Sequence, residues 1–328
     1  MSSPDSGAIA GAVEVLRSGG LVAFPTETVY GLGADAANPR AVERLFTVKR
    51  RPREHPVIVH VARADQLDDI GVDVSAEARA LASACWPGPL TVVVRRRPGR
   101  ICDEVTGGLE TVGVRVPDHP ITHALLAAFG RGIAAPSANR FGRVSPTTAS
   151  HVRADLGDDV DLVLDGGAAA VGIESTIVDC SSSAVTLLRP GGIPRQVLEG
   201  VLGRPVAEPR SDAAGPRAPG RLASHYAPDA QVMVTDDTLT TQEACRAAVA
   251  EGKRCGVLAV ADSTLTDDLP AGVVVLAPPT DTDDYARVLY SRLREADARE
   301  LDVVVALAPS AGGRATAIRD RLERASDR

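Results

Sequence analysis

Aromatic side chains make up only 3% of this 328-residue sequence, so aliphatic residues and alanine must fill most of any core. The five cysteines, Cys85, Cys102, Cys180, Cys245 and Cys255, are widely spread and form no Cys-x-x-Cys pair. That spacing argues against a zinc site or a disulfide frame and fits reduced thiols. No apolar run reaches the roughly 18 residues that a membrane-crossing helix needs. Met1 to Ser6 is polar and lacks the basic-then-apolar pattern of a secretion signal. The expected compartment is therefore the cytoplasm, with no membrane partner.

The common nucleotide signatures are missing as well. Gly167 to Gly172 has the glycine spacing of a Walker A loop, but Ile173-Glu174 follows where Lys-Ser/Thr is required. No Gly-x-Ser-x-Gly elbow places Ser137 or Ser175 as the nucleophile of a hydrolase that would use His60. A formal charge of −7 argues against binding nucleic acid over the whole surface. It also makes the run Lys49-Arg50-Arg51-Pro52-Arg53 stand out as a local site for a small anion.

What the sequence does contain is a hydrophobic fraction of 44%, ample for a core, and a length that favours two domains over one. The stretch Phe24 to Gly33 reads as a buried strand, Leu21 to Phe24, halted by Pro25. It delivers a hydroxyl-rich loop whose Gly31 and Gly33 let backbone approach a ligand. Around it, helices are expected over 8–18, from Asn38-Pro39 to the basic run, over 75–85 and over 119–129. Strands are expected over 57–61, 90–94, 111–116, 133–135, 161–165, 175–179 and 185–189. In 111–116, Thr111, Gly113 and Arg115 share one face and Val112, Val114 and Val116 the other, so one side is core and the other can hold a polar ligand.

The pattern predicts a mixed α/β sheet with helices against it. A Pro-, Gly- and Arg-rich linker follows from about 203 to 230. Beyond it comes a small, mostly parallel, Rossmann-like α/β unit of roughly a hundred residues. No Gly-x-Gly-x-x-Gly follows the first strand of that unit, so no dinucleotide is expected there. Ser137 and Asn139 leave a buried strand through Pro136 in a turn suited to a phosphate or carboxylate, or to a plain Asx turn. His119 and His123 stand four apart on an expected helix, but no neighbouring Glu or Cys completes a metal site.

Six segments carry a resemblance: Pro-Thr-Glu-Thr-Val-Tyr-Gly-Leu-Gly at 25–33, Lys-x-Arg-Pro at 49–52, Trp-Pro-Gly-Pro-Leu-Thr at 86–91, Pro-Ser-Ala-Asn at 136–139, Glu-Ser-Thr at 174–176 and Leu-Arg-Pro-Gly at 188–191. In this order they resemble the YrdC/Sua5 family, the threonylcarbamoyl-AMP synthases, and His225-Tyr226-Ala227-Pro228 matches the linker of the longer form. The resemblance implies a YrdC-type mixed twisted sheet with flanking helices over 1–202, a linker over 203–230 and a Sua5-type C-terminal domain over 231–328.

The resemblance further implies condensation of L-threonine, bicarbonate and ATP to threonylcarbamoyl-AMP with release of pyrophosphate. This is the first step towards N6-threonylcarbamoyladenosine at position 37 of tRNA, and the product passes to a downstream tRNA threonylcarbamoyl transferase machinery. Thr28, His60, Arg115, Ala135 and Ser175 would hold threonine. Arg51, Thr111, Ser137, Ser145, Arg189 and Tyr226 would hold ATP, with Tyr226 bringing the linker back as a lid. His55 joins them, standing where the family often has Asn. Lys49, Arg51, Ser137 and Asn139 would serve adenylyl transfer. Mg²⁺ is implied on the ATP phosphates rather than on protein ligands. The rival expectation is a non-enzymatic RNA-binding module using the local basic face, with a weak RNA contact in either case.

Overall fold

The computed structural model describes residues 5–209, 226–261, 265, 268–310 and 313–327. The chain divides into two compact units. The first holds the described residues up to 209 except Gly142–Ser145 and Val171–Ile173, and the second gathers those two short segments with the described residues from 226 onward. The boundaries therefore differ from the expected 1–202 and 231–328. Residues 203–209 stay with the first unit because Leu187 N–H donates to Ala207 O and Ala207 N–H to Val185 O. Residues 226–230 belong to the second, where Asp297 accepts from the Asp229 and Ala230 N–H groups. Most of the expected linker, including His225, lies outside the described residues.

The first unit is built on a ten-stranded mixed sheet. Its order runs Thr186–Arg189, Thr176–Asp179, Leu90–Arg96, Thr111–Arg115, Val59–His60, Ile133–Ala134, Gly31–Asp35, Val22–Phe24, Leu162–Val163, with Gly71–Val72 paired to Leu90–Arg96. Helix Ser6–Arg17 is capped by Asp5, and helix Pro39–Lys49 by Asn38, whose side chain accepts from the Arg40 and Ala41 N–H groups. The second helix ends as Arg50 turns left-handed at φ 53°, one residue before the Pro52-preceding position that disfavours helix.

One sheet face packs a large aliphatic core that includes Leu32, Leu45, Val59, Val92 and Val114. The opposite face carries two smaller clusters. There Val22, Phe24, Ile133 and Ala135 meet residues of helices Ser6–Arg17 and Pro120–Phe129. Further along, Ile58, Val93, Ile177 and Leu188 form a small separate cluster. Beside it opens a hollow lined by Ile58, Thr91, Leu109, Thr111, Gly113 and Ile177.

The strand Gly31–Asp35 is absent from the sequence reading, which takes Gly31 and Gly33 as ligand-facing loop glycines. It instead pairs antiparallel with Val22–Phe24, Gly33 opposite Val22. A Cβ on Gly33 would lie 2.7 Å from the Phe24 ring and 2.8 Å from Ile133 Cγ2. The glycine thus serves close packing inside the sheet, and its two-glycine spacing does not distinguish that use from a loop.

The second unit is a four-stranded parallel sheet in the order Gln231–Thr235, Val303–Leu307, Cys255–Leu258, Val274–Val275. Helices Thr238–Ala250, Thr282–Ala298 and Ala315–Ser326 accompany it. This is the alternating α/β unit expected. No described helix is long and apolar enough to cross a membrane.

Candidate active site

The loop 25–30 carries polar side chains into the first unit. Thr26 Oγ1 donates to Val29 O at 2.6 Å and accepts from the Thr28 N–H, so the loop is braced by its own hydroxyl. Thr122 Oγ1 further ties it down by donating to Pro25 O. Thr28 is fully buried. Its Oγ1 accepts from Arg115 Nη2 at 2.9 Å, and Arg115 Nε donates to Gly88 O at 3.3 Å.

Glu27 approaches the same guanidinium nitrogen as Thr28. Its Oε2 is 2.8 Å from Arg115 Nη2, and both side chains are over nine-tenths buried. Neither Glu27 carboxylate oxygen takes a hydrogen bond. Next to Arg115 in register is His60, on the parallel neighbouring strand. The His60 ring meets Phe24 edge-on at 5.9 Å, and its Nδ1 is buried without a hydrogen-bond partner. Burial, with the Arg115 charge beside it, pushes the His60 pKa down to about 3, so the ring is neutral at physiological pH.

That shift has a consequence for acid stability. An unfolded histidine titrates near 6.5, so between about pH 6.5 and 3 the unfolded chain takes up a proton that folded His60 refuses. Stability attributable to this site must fall as pH drops through that window, by at most about 1.4 kcal/mol per pH unit. His60→Gln should flatten this part of the profile. Urea midpoints of the two proteins between pH 7 and 4 check it, and parallel curves would refute it.

Across the sheet, Ser175 Oγ lies 2.8 Å from Thr91 Oγ1. Arg189 donates to Ser175 O from Nε at 3.2 Å and from Nη2 at 2.9 Å, and to Ser175 Oγ at 3.2 Å. A residue implied for threonine and one implied for ATP are therefore in contact. Thr111 and Gly113 line the adjoining hollow, on the face of their strand that alternation predicts. Ser175 is engaged by Thr91 and Arg189, which speaks against it as the nucleophile of the hydrolase arrangement.

The basic run splits in two. Arg50 and Arg53 are exposed, whereas Lys49 and Arg51 are buried. Lys49 Nζ donates to Ser137 O and to Asn139 O, leaving one N–H of the ammonium for a ligand. Burial, then the nearby Arg51, pushes the Lys49 pKa well below the ordinary lysine value, while the two carbonyl acceptors oppose that shift. Arg51 Nη2 donates to Pro56 O at 3.0 Å, and its guanidinium lies 5.7 Å from the centre of the Phe141 ring. His55 meets the same ring edge-on at 5.6 Å.

The turn 136–139 is stitched to the loop that carries Thr28. Ala138 N–H donates to Tyr30 O, Leu32 N–H to Pro136 O, and Asn139 N–H to Ser137 O. The Ala138 and Asn139 N–H groups are thus spent within the protein, and the turn's carbonyls are what it offers to Lys49. Ala135, one residue earlier, lies with its Cβ 3.3 Å from where a Cβ on Gly31 would be.

Ser145 and Tyr226 fall in the second unit. Ser145 is fully buried. Tyr226 stacks on Tyr290 at 5.6 Å with the Arg321 guanidinium 5.2 Å from its ring. Residues 210–225 of the linker expected to form the lid with Tyr226 lie outside the described residues. His119 is the N-cap of helix Pro120–Phe129 and accepts from the Ile121 N–H, so it does not share a helical face with His123. Among the described residues no three His, Cys, Asp or Glu side chains gather to hold a metal ion.

Glu27 stands inside the motif at 25–33 and has no role among the expected site residues. The available signal was a lone acidic residue between two threonines on a buried loop, which does not by itself point at an arginine 88 positions later.

Residues 14–191 match the Sua5/YciO/YrdC family model, described as telomere recombination, and residues 193–327 match the model described as threonylcarbamoyl-AMP synthase, C-terminal domain. The threonylcarbamoyl-AMP synthase of Pyrococcus abyssi is 39% identical over 321 residues, 95% of this chain and 92% of its own. That of Bacillus subtilis is 38% identical, covering 97% of this chain and 92% of its own. The crystal structure of P. abyssi Sua5 complexed with L-threonine superposes with a TM-score of 0.89 at 38% identity, over 97% of this chain and 94% of that one. Matched by the family model over more than half its length, and by such relatives over nearly all of it, the chain belongs to the Sua5/YciO/YrdC family, in the form that carries the Sua5 C-terminal domain.

Proposed function

We propose that the chain is a threonylcarbamoyl-AMP synthase, a nucleotidyltransferase that condenses L-threonine, bicarbonate and ATP into threonylcarbamoyl-AMP and pyrophosphate. The observation that carries this is the buried set on one sheet face: Arg115, bonded to Thr28, beside the neutral His60, whose Nδ1 has no hydrogen-bond partner. It matches an amino acid with a side-chain hydroxyl. Arg115 keeps donors for a carboxylate, Thr28 and His60 can bond the hydroxyl, and Ala135 leaves room for the methyl. An analogue without the hydroxyl would leave His60 Nδ1 buried and unpaired, which is a basis for selectivity.

In the reaction, the threonine amine attacks the bicarbonate carbon, and water leaves to give a carbamate. A carbamate oxygen then attacks the α-phosphorus of ATP, and the bond to pyrophosphate breaks. Negative charge grows on the phosphates during this step, and preorganised cations stabilise it most where water is excluded. Arg51 and Arg189, with the remaining N–H of Lys49, supply that field, and Ser137, Asn139, Thr111 and His55 complete the nucleotide side. Ser145 and Tyr226 remain assigned to the nucleotide by resemblance alone. Mg²⁺ would arrive on the triphosphate, since the described residues offer no cage of their own.

The product would feed the tRNA N6-threonylcarbamoyladenosine pathway in the cytoplasm through a downstream transferase machinery. The test is pyrophosphate release from ATP without RNA. Release that requires both threonine and bicarbonate is expected. Release indifferent to either, or none until RNA is added, would sink the proposal.

A further inference from the structure

We infer that Glu27 receives the α-ammonium of the bound amino acid, so that the Glu27–Arg115 pair reads the zwitterion as a unit. The inference rests on the threonine-binding reading above and deepens it by assigning a residue that reading leaves idle.

The Glu27 carboxylate is buried, with a side chain only 8% exposed. A buried carboxylate needs hydrogen-bond donors, because charge neutralisation alone does not offset its loss of water. Arg115 lies at 2.8 Å but directs its N–H groups to Thr28 Oγ1 and Gly88 O, and both Glu27 oxygens are left without a hydrogen bond. Among the described residues no other cation pairs with Glu27. His119 feels the Glu27 charge, yet its burial lowers its own pKa, and its Nδ1 is an acceptor for the Ile121 N–H.

A donor with positive charge is therefore what this carboxylate is built to take. A free amino acid brings one, attached to the same carbon as a carboxylate suited to Arg115. The bound zwitterion would set its carboxylate on the guanidinium and its ammonium on Glu27, exchanging one opposite-charge contact for two. Net charge in the site is unchanged by binding, since the pair and the ligand are each neutral overall. A dipeptide acylated at its amine, or a hydroxy acid with no amine, cannot complete this exchange.

The test uses the full chain, calorimetry or ligand-observed NMR, and two probes, L-threonine and 3-hydroxybutanoate, which is threonine without its amine. Wild type is expected to prefer threonine. Glu27→Gln should weaken threonine about 10- to 100-fold, the range for a hydrogen bond to a charged group, and leave 3-hydroxybutanoate no weaker. Glu27→Asp should recover part of the threonine affinity, and thermal melts of both variants report whether the fold is kept. Equal loss of both ligands in Glu27→Gln would mean that Glu27 acts only by propping Arg115, and would overturn the inference, as would unchanged threonine binding. Wild type that binds no threonine at all would instead overturn the functional reading, and this inference with it.

Discussion

Arg115→Met is expected to destabilise the protein by about 3–5 kcal/mol, and Arg115→Met combined with Glu27→Gln to regain most of that loss. Both partners are almost wholly buried, and removing one member of such a pair strands the other charge in a medium that cannot solvate it. Methionine keeps much of the volume of the arginine stem, so the loss comes mainly from the orphaned carboxylate rather than from a cavity. Making Glu27 neutral removes the orphan. Denaturant midpoints of the wild type, both single variants and the double variant give the coupling directly. If the double variant is no more stable than Arg115→Met, the pair is not a charge couple, and the damage lies in the lost bonds to Thr28 Oγ1 and Gly88 O. Neither Arg115 variant should bind threonine, which separates the stability effect, open to rescue, from the binding effect, which is not.

That Arg115 faces a polar site was legible in the sequence, because Thr111, Gly113 and Arg115 alternate with three valines and a strand has only two faces. The pairing with Glu27 was not, because it depends on loop 25–30 curling back to a strand almost ninety positions later. Lys49 and Arg51 were readable as a buried pair only in retrospect. A helix ending at Lys49 and a left-handed Arg50 rotate alternate members of the basic run inward, whereas the sequence shows five polar or constrained residues in a row. The strand Gly31–Asp35 was hidden by its glycines, which mark a loop as readily as a tight strand crossing. Helix Ser6–Arg17, by contrast, was plain from the spacing of Ile9, Val13 and Leu16, all buried. The parallel C-terminal unit was equally plain, since alternating strands and helices with short connections permit few other arrangements.

Lys49→Met should lower pyrophosphate release about 10²–10³-fold, the usual loss when a preorganised group is taken from a charge-stabilising site, while leaving threonine binding within about twofold. Two effects act together. The ammonium's last free donor is lost to the phosphates, and the carbonyls of Ser137 and Asn139 lose the group that converges them. Each carbonyl left unsatisfied costs about 1–3 kcal/mol, and the turn 136–139 can avoid that cost only by moving. Movement there displaces Ser137 and Asn139, both counted on for the nucleotide. Thr28, Arg115 and His60 are held by other bonds, so threonine should still find its site. Arg51→Met provides the comparison: it removes a cation and the bond to Pro56 O without touching the carbonyls of the turn, so it should slow release while Ser137 and Asn139 keep their places. Kinetics of pyrophosphate release and threonine calorimetry on both variants decide the matter. A Lys49→Met enzyme within about threefold of wild type would show that the buried ammonium neither aligns the turn nor meets the phosphates. Parallel loss of threonine binding would show that the turn and the amino-acid site are one mechanical element rather than two.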